Sequence, residues 1–468
     1  MRAHRGTGRD RQIRWRGVRG VALRHLFAEV SAPGRRSRGI GGGHLGDGVV
    51  LSVDSEEASA IGARARMIRR RRGLSLDVVA GLAGITKQYL SALELGQRGF
   101  NRRGLIEDLA NALGCSVADL TGQPYLLADR ASADASVALP EIGMVLSDVT
   151  LDDVPDVPAR PVKELSRLVD LANDHSDQTH YAFSGRDLGI LLTELQVHVV
   201  TGDTETCQMA LATLVEACRV AFATAKNVGQ PTIAVLAGRR GYDAAQRLGD
   251  PALIGFSAWY RSIALMRHGT RDRASQLLTA SIDTLAGQAD PTAPDPSTAE
   301  AYGLLHLCAA LNAARAHRAA DARYHLGEAK KIADRTGERN TMRLHFGPTN
   351  VAVWSIGIGA ELDDGPAAYD RATAHPINVE ALGSVNRVAT LHFDFARALA
   401  QAQGARDAEA IRHLDRADRI APVLIRNDPV ARSVLADLDR RAKRRVWELD
   451  SLLNRFGISG HGQRSVDN

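Results

Sequence analysis

From residue 59 onward the chain repeats one pattern. Apolar residues recur three and four positions apart, in stretches broken by Gly, Asp or Pro, and no run alternates with period two. That spacing lines one face of a helix, whereas a half-buried strand needs strict alternation. Ala and Leu carry the apolar load, and aromatic residues make up only 4% of the 468. β-sandwiches lean on β-branched and aromatic side chains, so the expected fold class is all-α. At about 150 residues per domain the length suggests roughly three units. Hydrophobic residues at 44% are enough for a sizeable core.

Charge divides the chain. Residues 1–48 hold 11 Arg against three acids, a net of +8, and 49–58 contribute −3. Residues 59–123 hold ten Arg or Lys against five acids, a net of +5, which leaves −5 for residues 124–468. A basic unit suits a phosphate backbone, and an acidic body is repelled by one. The first 48 residues also carry 11 Gly and no apolar periodicity. Residues 1–56 are therefore expected to be a disordered Arg/Gly-rich extension. Gly41-Gly42-Gly43-His44-Leu45-Gly46 spells GxGxxG there, but no strand precedes it and no βαβ pattern follows.

Residues 57–123 read as five short helices. Ile61, Ala65 and Ile68 form an apolar stripe, the run from Arg69 to Arg72 covers the other faces, and Gly73 ends the first helix. Ser75 is a natural N-cap for a second helix, which closes at Gly84, and Thr86 caps a third that closes at Gly96. Helices at about 103–113 and 116–120 complete the unit. Two short helices across so tight a turn form a helix-turn-helix.

The stretch GLSLDVVAGLAGIT at 73–86, Glu94-Leu95-Gly96 and LANALG at 109–114 resemble the lambda-repressor/Cro-like, XRE-type helix-turn-helix family. Ala80 matches its small residue at the helix crossing, Gly84 its turn, and Ile85, Leu90 and Leu93 its buried positions. The resemblance implies a DNA-binding domain whose third helix enters the major groove. The matching base-facing positions are Thr86, Lys87, Gln88, Ser91 and Ala92. Gln can bond adenine and Lys can contact guanine, whereas Ala92 can reach only a thymine methyl. Ser75, Arg98, Arg102 and Arg103 are the phosphate candidates. Leu76 stands where the family often has a phosphate-binding Gln, which weakens that contact.

Residues 124–161 read as a linker with room for a short helix at 137–146, and 162–457 as a long helical domain before a tail at 458–468. Four segments share small–large–small spacing at i, i+4 and i+7: Ala274-Leu278-Ser281, Ala322-Leu326-Ala329, Ala367-Arg371-Ala374 and Ala410-Leu414-Ala417. With Pro422 after the last, they resemble the second helix of tetratricopeptide (TPR) repeats, with spacings of 48, 45 and 43 residues and Arg371 breaking the pattern. The whole arrangement is similar to large actinobacterial regulators with TPR-like C-terminal domains. That resemblance implies a five-helix DNA-binding domain followed by a TPR-like α-helical solenoid that senses a peptide, small molecule or protein. Phe346, Asn350, Trp354, Arg387 and His392 are the effector-pocket candidates on its concave face.

Double-stranded DNA is the expected partner, and a homodimer is compatible with the sequence. The competing reading is a TPR-like interaction scaffold with an accessory DNA-binding module. Cys115, Cys207, Cys218 and Cys308 form no CxxC pair, so neither a disulfide framework nor a zinc site is expected, and a reducing, cytoplasmic compartment follows. No membrane partner is expected, because no apolar run stands out at the ~20 residues a span requires. P-loop, HExxH and GxSxG motifs are missing and the 15 His are dispersed, so no enzyme, cofactor or metal is expected.

Overall fold

The computed structural model describes residues 61–125, 130–375 and 377–458, and within them every regular element is helical. The N-terminal extension (residues 1–56) and residues 459–468 of the expected tail lie outside the described residues. The first five helices are α1 (Ile61–Arg71), α2 (Leu76–Leu82), α3 (Lys87–Glu94), α4 (Arg103–Leu113) and α5 (Val117–Thr121). Gly84 adopts φ +67 in the turn between α2 and α3, a conformation that favours glycine. Val79, Ala80, Leu90 and Leu93 close the helix-turn-helix core.

The segment expected to be a linker is more ordered than its polar composition suggests. It holds α6 (Arg130–Ser136) and α7 (Leu139–Asp148), and the latter covers most of the anticipated short helix. Ala135, Leu139, Ile142 and Leu146 join the main core cluster, so these turns are tied down by burial. Next come α8 (Val162–Asp177), α9 (Tyr181–Gly185), α10 (Leu188–Thr201), α11 (Thr204–Asn227) and α12 (Pro231–Leu248). Helix α11 corrects the expectation about apolar runs: it is long and apolar enough to cross a membrane by length and composition. It packs against α8, α10, α12 and α13 (Pro251–His268), and Val215, Ala217, Cys218 and Val220 are fully buried. Its apolarity is that of a central core helix.

Helical hairpins follow. They pair α13 with α14 (Arg271–Leu285), α15 (Ser297–Arg315) with α16 (Ala319–Thr336), α17 (Pro348–Glu361) with α18 (Gly365–Ala374), and α19 (Val385–Ala400) with α20 (Asp407–Ile420). The chain ends in α21 (Pro422–Arg426), α22 (Pro429–Arg441) and α23 (Trp447–Phe456). In α14, α16 and α20 the small residues of the expected pattern are buried. In α18 the register is shifted by one: Ala367, Arg371 and Ala374 are exposed, and Ala368 is buried instead. Gly359 explains the choice, because a Cβ there would lie 2.6 Å from that of Ala368. Two of these hairpins carry the same polar insert, with His306 Nδ1 and His325 Nδ1 3.0 Å apart across one and His392 Nδ1 and His413 Nδ1 3.0 Å apart across the other.

The helix-turn-helix unit and the helical body share a core. One contiguous apolar cluster runs from Ile61, Leu90, Leu105 and Leu120 to Leu399, Leu414, Leu435 and Phe456. Packing therefore crosses the expected boundary at residue 123, and the described residues fall within one compact unit.

Candidate functional site

Two caps and one ion pair fix the geometry of α2 and α3. Ser75 Oγ accepts the Val78 N–H at 3.2 Å, and Thr86 Oγ1 accepts the Tyr89 N–H at 3.2 Å, which starts α2 and α3. Arg69 grips Glu94 with two hydrogen bonds of 2.6 and 2.7 Å and donates a third to the Leu74 carbonyl. This bidentate pair joins the end of α1 to the end of α3. Arg69 is therefore buried, unlike the exposed Arg70, Arg71 and Arg72 beside it. Glu94 is the glutamate of the Glu-x-Gly closure, and its partner is what the sequence pattern leaves out.

Thr86, Lys87 and Gln88 are exposed at the N-terminal end of α3, while Ser91 and Ala92 are half-buried further along. Lys87 Nζ lies 2.8 Å from Asp77 Oδ2, with both side chains open to solvent. The phosphate candidates separate. Ser75 and Arg98 are exposed, and Arg102 is half-buried beside Tyr89. Arg103 is not available to DNA: it is 5% exposed and pairs with Asp428 Oδ2 at 2.5 Å. Its position in the first turn of α4 faces the helical body, a direction that charge alone does not reveal.

The family model of a helix-turn-helix domain matches residues 60–121, which covers α1 to α5. Residues 60–121 are a helix-turn-helix domain. The match indicates a DNA-binding regulator. No curated protein and no solved structure matches the chain.

This domain is seated on the body through α4. Glu361, the last residue of α17, accepts the Arg103 N–H at 3.3 Å and the Gly104 N–H at 3.1 Å, capping a helix that lacks a side-chain cap of its own. A carboxylate suits the positive end of a helix. Arg397 (3.0 Å) and Arg315 (3.5 Å) hold the same carboxylate. Burial opposes its charge, and these guanidiniums overcome the penalty and hold its pKa at about 2. Beside it, Glu107 sits between Arg271 and Arg315, each 3.3 Å away, with burial raising its pKa to about 7 against their pull. Phe100 N–H donates to Ser433 Oγ at 2.7 Å, and Gln123 Nε2 to the Asn427 carbonyl at 2.8 Å.

Under this seam lies a cavity of about 220 Å³. Eight lining residues are Arg or Lys and four are Asp or Glu. Arg103 of the helix-turn-helix domain is one of the eight, so the DNA-binding unit supplies part of the wall. Of the expected effector residues, Asn350, Trp354 and Arg387 line the cavity together. Arg387 Nε donates to Asn350 Oδ1 at 2.9 Å, and its guanidinium lies 5.4 Å from the Trp354 ring centre. Phe346 and His392 are not in this wall. Phe346 is buried against Gly303, where a Cβ would strike its ring, and His392 faces His413.

The cations from α11 and α13 were not anticipated. Arg219 and Lys226 stand seven residues apart on α11, one helical face of an otherwise apolar run, and that was the available signal. Arg267 and Arg103 share Asp428, whose own charge is opposed by burial and held by both guanidiniums, its pKa down at about 2. Among the described residues, neither Lys226 nor Arg387 has a carboxylate within ion-pair distance.

Proposed function

We propose that this chain is a sequence-specific transcriptional regulator, acting in the cytoplasm without catalysing a reaction, whose C-terminal body is a TPR-like solenoid that senses a ligand and sets the DNA-binding state. One observation carries the reading. A helix-turn-helix domain with the N-terminal end of α3 open to solvent is docked on the wall of a partly open cavity, and its own Arg103 lines that cavity. A ligand acts on DNA binding only if it favours one seating of the domain over another. Arg103 and Asp428 are where that difference would arise, since the pair belongs to both the seam and the cavity wall.

The test is a gel shift of the full chain on the DNA upstream of its own gene against a scrambled duplex of equal length. The reading expects tighter binding to the upstream duplex, with the preference lost in Gln88→Ala. Equal binding to both duplexes at every salt concentration would remove sequence-specific regulation.

A further inference from the structure

Water-filled cavities between helices are common, but this one has an imbalance of charge that protein interiors avoid. A buried cation left unpaired costs several kcal/mol, as an order of magnitude, unless a counter-charge reaches it. Six of the eight basic lining residues have a carboxylate partner: Arg103 and Arg267 share Asp428, Arg315 and Arg397 share Glu361, and Arg219 and Arg343 share Asp177. Lys226 and Arg387 are left without a carboxylate at ion-pair distance; Asp394, the fourth acid of the wall, pairs with Arg397 and reaches Arg387 only at longer range. The Lys226 ammonium lies 5.9 Å from the Phe222 ring centre, and Arg387 spends one N–H on Asn350 and turns its face to Trp354. Both residues keep accessible surface, and both line the cavity.

We infer that the cavity is a binding site for a small organic anion, with its phosphate or carboxylate group held between Lys226 and Arg387 and its apolar part against Trp354 and Phe222. The inference rests on the sensing role proposed above and names the chemistry of what is sensed. An oxyanion satisfies both free cations at once, and a guanidinium offers it a planar pair of donors. A volume of about 220 Å³ is roughly seven waters at about 30 Å³ each, which fits a single aromatic or short aliphatic acid rather than a folded partner. Trp354 and Phe222 supply the apolar surface that such pockets use for the body of a ligand. The site also reaches the DNA-binding unit. A negative charge placed here competes with Asp428 for Arg267 and Arg103, and Arg103 sits at the N-terminus of α4.

The test uses the full chain and four probes at constant ionic strength: inorganic phosphate, phenyl phosphate, benzoate and the neutral benzyl alcohol. Phenyl phosphate or benzoate should change tryptophan fluorescence saturably and raise the melting temperature, and benzyl alcohol should do neither. Phosphate-only or carboxylate-only binding identifies the head group. Lys226→Met and Arg387→Met should each weaken binding at least about tenfold, and Arg239→Met, on an exposed helix face, should not. Lys226→Met should melt at or close to the wild-type temperature without ligand, because it keeps the length of the side chain and removes an amine that has no carboxylate partner, so weaker binding cannot be put down to misfolding. The inference fails if no anion saturates the wild-type chain, or if Lys226→Met and Arg387→Met bind as tightly as wild type. A gel shift on the same samples separates the two claims. Retained preference for the upstream duplex with no anion binding sinks only the ligand class, whereas anion binding without any duplex preference sinks the regulator.

Discussion

The Glu361 carboxylate accepts the backbone N–H of Gly104 across 257 residues of sequence, at 3.1 Å. The N-terminus of α4, within the helix-turn-helix domain, is therefore capped by the C-terminal residue of a helix in the body. Glu361→Gln keeps the shape and removes the charge that Arg397 and Arg315 share. Breaking a buried pair by removing one partner costs about 3–5 kcal/mol. The amide still fills the space, so the expected loss lies toward the lower end, read as a lower melting temperature of the full chain. Gly104→Ala should also destabilise, because its Cβ would lie 2.7 Å from the Arg315 carbonyl oxygen and neither backbone can yield cheaply.

The Lys87–Asp77 pair predicts an unusual direction for a surface variant. Asp77→Asn releases the Lys87 ammonium and removes a negative charge beside the reading surface. Exposed pairs contribute little to folding, so stability should hold within about 1 kcal/mol. DNA affinity should rise about two- to fivefold for cognate and scrambled duplexes alike, with a steeper dependence on salt. Arg98→Ala should do the reverse, lowering the slope of log K against log salt by about 0.9. Arg103→Ala, in contrast, should lower the melting temperature, because its partner is Asp428. A salt titration on both duplexes reads the binding effects.

Anion binding should be linked to a proton. Burial lowers the Lys226 pKa well below its ordinary value, Arg267 pushes it further down, Asp428 opposes the shift, and Arg103 and Arg387 add to it. A bound carboxylate restores the charged form, so binding takes up a proton wherever the empty site is neutral. Benzoate stays ionised well above its own pKa, and its affinity should fall as pH rises through the lowered pKa of Lys226. Calorimetry in two buffers of different ionisation enthalpy should show net proton uptake, abolished in Lys226→Met.

Acid should weaken the two histidine-bridged hairpins. Burial pushes the pKa of His306, His392 and His413 down to about 4, and lowers that of His325, with the neighbouring ring adding to the shift for His306 and His392. The unfolded chain takes up protons near pH 6.5 and the folded chain does not. Stability from these groups is fully present above about pH 6.5 and is lost as pH falls toward about 4, by a few kcal/mol in total as an order of magnitude. His413→Gln should flatten that part of the melting curve against pH.

The helices themselves were legible in the sequence because their signals are local. Ser75, Thr86 and Gly84 announce the start and stop of α2 and α3 from within a few residues, and the exposed positions Thr86, Lys87 and Gln88 at the start of α3 follow from that register. Arg103 was misplaced, since in sequence it looks like Arg98 and Arg102. Only Asp428, 325 positions away, distinguishes it. The register of α18 failed for a related reason. Ala367 and Ala368 are equally good small residues, and Gly359 on the opposite helix decides between them. The cavity was partly visible through Asn350, Trp354 and Arg387, which lie in neighbouring hairpins. Lys226 and Arg267 come from helices much earlier in the chain, and no periodicity links them to that wall.

The shared core has a consequence for how the protein is made. Leu90 and Leu105 leave the ribosome long before Leu435 and Phe456, which belong to the same apolar cluster. At about 5–20 residues per second the first group waits roughly 20–70 s for the second. During that interval the helix-turn-helix domain exposes apolar surface that α19 to α23 later cover. Translation that stops before α19 therefore releases a head without its cover, a product suited to chaperone capture or proteolysis rather than to an unregulated DNA-binding fragment.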